Sequence, residues 1–140
     1  MNGTFAFMHR QPLLVDRPPT LQLVIAVVVP ILFGVITGIA LGVSAALYLI
    51  LSLLGVLGGI GAGYDHAGAG EGVARGVVGG ALFGVFILLA HAASGLDPKT
   101  DLPDPPVVLA IITMVLGALF GALGGWLRAR HERGAGQRAT

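Results

Sequence analysis

Long uncharged apolar stretches alternate along this chain with short segments that hold its charges. The first stretch, Thr20 to Tyr64, runs 45 residues without a charged side chain. As a single helix it would extend about 67 Å, against a hydrocarbon core only ~30 Å thick. It must therefore fold back on itself. Gly42-Val43-Ser44 marks the turn, with Gly42 ending one helix and Ser44 capping the next. Val43-Ser44-Ala45 also resembles a signal cleavage site, but the apolar run before it is too long for a signal-peptide core. The pattern predicts four helices, over about 21–42, 45–63, 71–93 and 106–127. Pro105 and Pro106 fall at the first turn of the fourth, where proline is tolerated. The fold class expected is all-α: a polytopic membrane protein with four transmembrane helices in an up-down bundle. Residues 1–20 form an N-terminal segment, 21–127 the transmembrane domain and 128–140 a basic tail.

Composition agrees with the pattern. Of the 140 residues 55% are apolar and 11% charged, a membrane composition. The chain has no cysteine, which excludes disulfides, thiolate metal sites and thiol catalysis. The net charge of +1 gives no reason to expect nucleic acid as a partner. The positions of the charges do carry information. With four spans both termini share one side, and that side holds Arg10, Arg17, Arg75, Arg128, Arg130, Arg133 and Arg138. The other side holds only Lys99. This bias places the termini and the 64–72 turn in the cytoplasm. The loop 94–105, with Asp97, Asp101 and Asp104, faces out. The cytoplasmic face of the membrane is thus the inner one. Tyr64 and Trp126 fall at its inner interface, where amphipathic rings prefer to sit.

Glycine recurs every fourth residue in each apolar segment. The rows are Gly34, Gly38, Gly42; Gly55, Gly59, Gly63; Gly68, Gly72, Gly76, Gly80, Gly84; and Gly117, Gly121, Gly125. Lipid tails are as apolar as leucine, so helices associate in a bilayer through close packing, which small residues four apart permit. All of these glycines except Gly68 are candidate helix-packing positions. A four-residue step rotates ~40° around a straight helix, so the row from Gly68 to Gly84 drifts by ~160°. One straight neighbour cannot follow it. The third helix is expected to touch two neighbours, or to cross one at a steep right-handed angle. Leu32-Phe33-Gly34-Val35 matches Leu82-Phe83-Gly84-Val85, as a duplicated helical hairpin would; a small apolar alphabet also yields such matches.

Candidate polar chemistry is sparse. Asp65, His66, Glu71 and Arg75 cluster around the charged turn. Glu71 and Arg75 are spaced for an i,i+4 ion pair, and Glu71 suits the start of a helix. The cluster reads as a capped helix start or as a gating or ion-entry site. His91 lies near the outer end of the third helix, where it can reach water or serve as a pathway group. Thr37, Ser52 and Thr113 are expected to bond to the preceding turn. Pro30 is expected to free the carbonyl of Ala26 and kink the first helix. The tail from Arg128 onward suits contact with anionic lipid. No pair of histidines has metal-ligand spacing with a carboxylate partner. Gly68-Ala69-Gly70-Glu71-Gly72 lacks the Lys-Ser/Thr of a phosphate loop, and no nucleophile–base pair lies within the spans. No catalytic, cofactor-binding or metal residue is assigned.

The run Gly58-Gly59-Ile60-Gly61-Ala62-Gly63, a short charged turn and then Gly72, Gly76 and Gly80 resembles small four-span, glycine-rich bacterial membrane proteins of unknown function. The resemblance covers about 58–84. Those proteins often carry a basic residue after the Ala-Gly, where Tyr64-Asp65-His66 stands here. The resemblance implies the four-span topology, a bacterial cytoplasmic (inner) membrane and no activity. From the residues, the function expected is non-enzymatic: an integral membrane protein acting through helix packing, as a homo-oligomer or an accessory subunit of a larger membrane complex. A small channel or transporter for an ion or small solute is the alternative. The partners expected are the lipid bilayer and a second copy or another membrane protein.

Overall fold

A computed structural model describes residues 13–137. Arg10, Arg138 and the first part of the N-terminal segment lie outside the described residues. The chain forms an all-α, up-down bundle of four long apolar helices, each able to span a membrane: α1 (Pro19–Val43), α2 (Ala45–Tyr64), α3 (Ala69–Ser94) and α4 (Val107–Gln137). Going round the bundle, α1 packs on α3, α3 on α4, α4 on α2, and α2 returns to α1. The start of α1, the α2–α3 turn and the end of α4 lie together at an arginine-rich end. The loop 95–106 closes the other.

The α1–α2 turn is tighter than the sequence suggests, because α1 continues through Val43. Ser44 alone, with φ −157° and ψ 127°, ends one helix and begins the next. Its amide donates to the Ala40 carbonyl at 2.9 Å, and its Oγ accepts from the Leu47 amide at 3.4 Å. Gly95, at φ +66°, ends α3 in the left-handed conformation that glycine adopts without strain. The fourth helix departs most from expectation. Its 31 residues extend about 46 Å, so the segment read as a basic tail continues the helix beyond the bilayer as far as Gln137.

α3 touches more than one neighbour, as expected, but its glycine row meets only α4. A Cβ at Gly72 would collide with the Gly121 carbonyl, one at Gly76 with that of Gly117, and one at Gly80 with that of Thr113. The relation is reciprocal, since Cβ atoms at Gly117, Gly121 and Gly125 would strike the carbonyls of Gly76, Gly72 and Gly68. The row and its partner row therefore lie on each other from Gly68 against Gly125 to Gly84 against Ala110, about four turns of helix. Where a side chain would stand, each glycine directs a hydrogen at a carbonyl oxygen. Such Cα–H···O contacts contribute about 0.5–1 kcal/mol apiece.

The remaining rows are also used within the chain. Gly34 and Gly38 of α1 ride on the Phe83 and Ile87 carbonyls of α3. Gly63 of α2 and Gly124 of α4 bring those two backbones together, and Gly121 is thereby wedged between α2 and α3. Gly42 makes room for Leu96, and Gly55 for the Phe83 ring. Only Gly59, 3.6 Å from the Phe120 Cβ, has ordinary clearance. The side of α3 that carries Arg75, Gly79, Phe83 and Ile87 faces α1, where the Phe33 and Phe83 rings stack with centroids 5.8 Å apart. So α3 does touch more than one helix, but through a second stripe and not through its glycine row.

The two ends of the bundle differ. Towards the loop end Leu41, Tyr48, Phe83, Ile87 and Leu109 form a packed core, with Leu102 of the loop against it. The Lys99 amide donates to the Leu41 carbonyl at 2.9 Å and ties the loop to the end of α1. Thr37 is fully buried there and bonds back to the Phe33 carbonyl at 2.8 Å. Thr113 likewise bonds back to Ala110 at 3.0 Å, whereas the buried Ser52 Oγ has no partner, contrary to expectation. The hairpins do not pack alike. α3 and α4 adhere along their length, while α1 and α2 part at the arginine-rich end.

Gly76→Ala, which forces a methyl into the Gly117 backbone, is expected to destabilise the bundle by about 1–3 kcal/mol. Gly58→Ala, which has nothing within 4 Å of its Cβ, is expected to be neutral or slightly stabilising. Unfolding in mixed micelles, followed by circular dichroism, separates the two.

Candidate functional site: a cavity around Arg75

Of the four candidate residues of the charged turn, Asp65 and Arg75 line one cavity, and His66 and Glu71 stand apart from it. Asp65 caps the end of α2 and is anchored from the N-terminal side. Its carboxylate lies 3.3 Å from Arg17 Nη2, and its carbonyl accepts from the Leu14 amide at 2.9 Å. His66 Nδ1 sits 2.9 Å from the Ala62 carbonyl, on the last turn of α2. Glu71 accepts from the Ala67 amide at 3.2 Å and so caps the start of α3. Among the described residues the expected Glu71–Arg75 ion pair is not formed, because Arg75 turns the other way.

Arg75 stands six residues into α3, about 9 Å along the axis from Ala69. From that depth an arginine ordinarily stretches back to the headgroups. Here the guanidinium lies one turn deeper, against Gly79. A Cβ on Gly79 would come within 2.6 Å of Arg75 Nη1 and 3.9 Å of the Pro30 ring. Nη2 donates to the Ile25 carbonyl of α1 at 2.8 Å.

That carbonyl is free for a definite reason. α1 passes through a π-helical turn at Val24–Val28, where the Val29 amide bonds to the Val24 carbonyl. In this register the amide due to reach Ile25 is that of residue 30, which is proline and has none. The sequence reading assigned the freed carbonyl to Ala26, as it would be in an unbroken α-helix. The π-turn moves it to Ile25, and Arg75 answers it. Satisfying such a group is obligatory in lipid.

Around Arg75 the helices enclose a partly open cavity of about 410 Å³. Ile25, Val29, Pro30 and Phe33 of α1 form one wall. Leu54, Gly58, Gly61 and Ala62 of α2 form the next. Gly79 and Phe83 of α3, with Thr113 and Leu116 of α4, complete it. Eight of its twenty lining residues are glycines, so the space consists of missing side chains. Only Asp65, Arg75 and Thr113 bring polar side chains, and the Thr113 hydroxyl already donates to Ala110. Arg75 Nε is buried and has no hydrogen-bond partner, and among the described residues no carboxylate pairs with this guanidinium. Asp65 is engaged by Arg17. The cavity therefore holds, in an apolar wall, a guanidinium with no carboxylate at contact distance, and at its rim the Asp65 carboxylate shared with Arg17.

His91, the other candidate, lies outside this cavity near the far end of α3, with its Nδ1 buried and unpartnered. Two residues that matter were not singled out as site or packing positions. Arg128 was read as part of a lipid-facing tail, but it is only 6% exposed. It donates to the Tyr64 carbonyl at 3.2 Å, lies over the Tyr64 ring and pairs with Glu132 at 3.0 Å. It thus clamps the end of α2 to α4. Gly124 stands off the four-residue rows, and its signal was the doubled Gly124-Gly125, which offers two glycine faces at one level. Trp126, 42% exposed, carries Arg130 over its ring at 5.2 Å.

Comparison of the chain with models of protein families, with curated proteins and with solved structures gives no match.

The Arg75–Ile25 contact makes a quantitative prediction. Arg75→Ala strands a buried carbonyl and is expected to cost about 1–3 kcal/mol. Pro30→Ala restores an amide that can reach Ile25, so the same Arg75→Ala change is expected to cost less in that background. A double-mutant cycle read by micelle unfolding gives the coupling, about 0.5–3 kcal/mol for groups in contact. Additive effects would contradict the assignment.

Proposed function

We propose that this is a non-enzymatic protein of a bacterial cytoplasmic membrane, with both termini in the cytoplasm, that binds and carries a small anion-bearing solute in the cavity around Arg75. The observation that carries the reading is the direction of Arg75: an arginine within reach of water turns instead into an apolar cavity and keeps a buried donor unused. Ionisable groups inside spans mark solute pathways more often than they mark structure. The cytoplasmic orientation rests on the arginine bias, and the bacterial assignment on the resemblance at 58–84. The packed core at the loop end favours a carrier or binder over an open pore, because it fills the path beyond Phe83.

A packing role, as a homo-oligomer or an accessory subunit, is the second reading. The glycine rows first suggested it, and they are now accounted for within one chain. What favours it still is that Gly58 and Gly61 of α2 have nothing within 4 Å of their Cβ positions, which leaves room for a helix from a partner. Native mass spectrometry of the protein extracted in mild detergent distinguishes the readings. The carrier reading predicts a monomer with one small acidic adduct that is lost in Arg75→Gln. An adduct-free oligomer, or a complex with another membrane protein, would establish the packing reading instead. A bare monomer would contradict both.

A further inference from the structure

We infer that the ligand of the Arg75 cavity is a single-chain amphiphile with one negative charge, a medium-chain fatty-acid carboxylate, bound with its head on Arg75 and its chain towards Phe83. The inference rests on the proposed reading of the cavity as an anion-bearing solute site and adds the class of solute.

The distribution of polar groups selects an amphiphile. Asp65 and Arg75 stand at the arginine-rich end of the cavity, and the next two turns inward are walled by Phe33, Leu54, Phe83 and Leu116. From Arg75 to Phe83 is eight residues, about 12 Å along the helix. A compact polar anion placed there would find one guanidinium and no other free donor, because the Thr113 hydroxyl is already spent on Ala110. Its remaining polar atoms would be buried without partners, which is costly. A molecule with one charged end and an apolar body leaves nothing unpaired.

Charge and volume narrow the class further. One guanidinium with no carboxylate at contact distance matches one negative charge. A doubly charged head would also meet the Asp65 carboxylate, so a carboxylate fits better than a phosphate monoester. The guanidinium keeps Nε and its unused Nη hydrogens for such a head while Nη2 holds Ile25. The cavity, about 410 Å³, lies within the ~300–1,000 Å³ range of small-molecule sites. It suits one acyl chain and is too small for the two chains of a phospholipid. Glycines at 58, 61 and 79 supply that width, and none of them belongs to the α3–α4 seam.

The test uses the full chain in nanodiscs of neutral phosphatidylcholine and a photoreactive diazirine analogue of decanoate, with labelled peptides mapped by mass spectrometry. Labelling is expected on the α2 and α3 segments that hold Leu54 and Phe83. Decanoate is expected to compete, and decanol and butyrate to compete poorly. Arg75→Gln is expected to weaken labelling by roughly tenfold to a hundredfold, the loss of a charged hydrogen-bond partner. Because that variant also strands the Ile25 carbonyl, Gly79→Val provides a second reading. It fills the space beside the guanidinium, leaves the α3–α4 contact alone, and is expected to reduce labelling comparably. If acetate or inorganic phosphate competes as well as decanoate, the site takes a soluble anion: the amphiphile is overturned and the anion site stands. Equal competition by phosphatidylglycerol overturns the single chain in the same way. Labelling unchanged in Arg75→Gln, or competed equally by decanol, overturns the inference and the anion-site reading together.

Discussion

The contact of the α3 and α4 backbones governs the rest of this structure. At Gly72, Gly76, Gly117 and Gly121 the two chains come so close that a single methyl group would not fit. In water such a seam would be a weak design, because glycine costs a helix conformational entropy. In a bilayer the alternatives are fewer. Apolar burial does not distinguish a neighbouring helix from lipid, and close packing with Cα–H···O contacts is what remains. The seam also fixes how α3 is rotated. With its glycine row given to α4, the stripe of Arg75, Gly79, Phe83 and Ile87 has to face α1.

The position of the charge follows from that rotation. Arg75 could not reach α1 if α3 were turned by a residue, and it would have nothing to bond there if α1 were a regular helix. Pro30 and the π-turn before it supply the acceptor at Ile25. At the loop end the same stripe is apolar and the bundle closes on a packed core, with the loop tied down through Lys99 and Leu102. At the arginine-rich end α2 stands off, held by Arg128 and by its Gly63–Gly124 contacts with α4, and the cavity opens between it and α1. One chain thus combines a rigid glycine-sealed half with a looser half that surrounds a lone guanidinium.

Much of this was legible in the residues. An uncharged run longer than a bilayer can hold, two charged breaks and a skewed distribution of arginine suffice for four spans and their order. The every-fourth-residue glycines indicate backbone contact, but a one-dimensional pattern does not say which row meets which. The drift of the Gly68–Gly84 row suggested two partners, because a straight partner was assumed. The reciprocal contacts show that the two rows follow each other instead. Arg75 was misread for a different reason. Its i,i+4 spacing from Glu71 is a local signal, whereas its acceptor lies fifty residues away and exists only because α1 changes register near Pro30. Arg128 looked like one of several tail arginines, since nothing in its neighbourhood shows that α4 continues and brings it against Tyr64.

The central claim is that the glycine rows are consumed between helices of one chain, which leaves Arg75 facing a cavity and not a partner's helix. Solid-state NMR in lipid bilayers tests it most directly, with glycine α-carbons labelled and through-space contacts recorded between Gly72 and Gly121 and between Gly76 and Gly117. The account predicts both contacts at full strength when labelled chains are diluted into unlabelled ones. Contacts that vanish on dilution, and reappear only between differently labelled chains, would show that the rows join separate molecules and would contradict it.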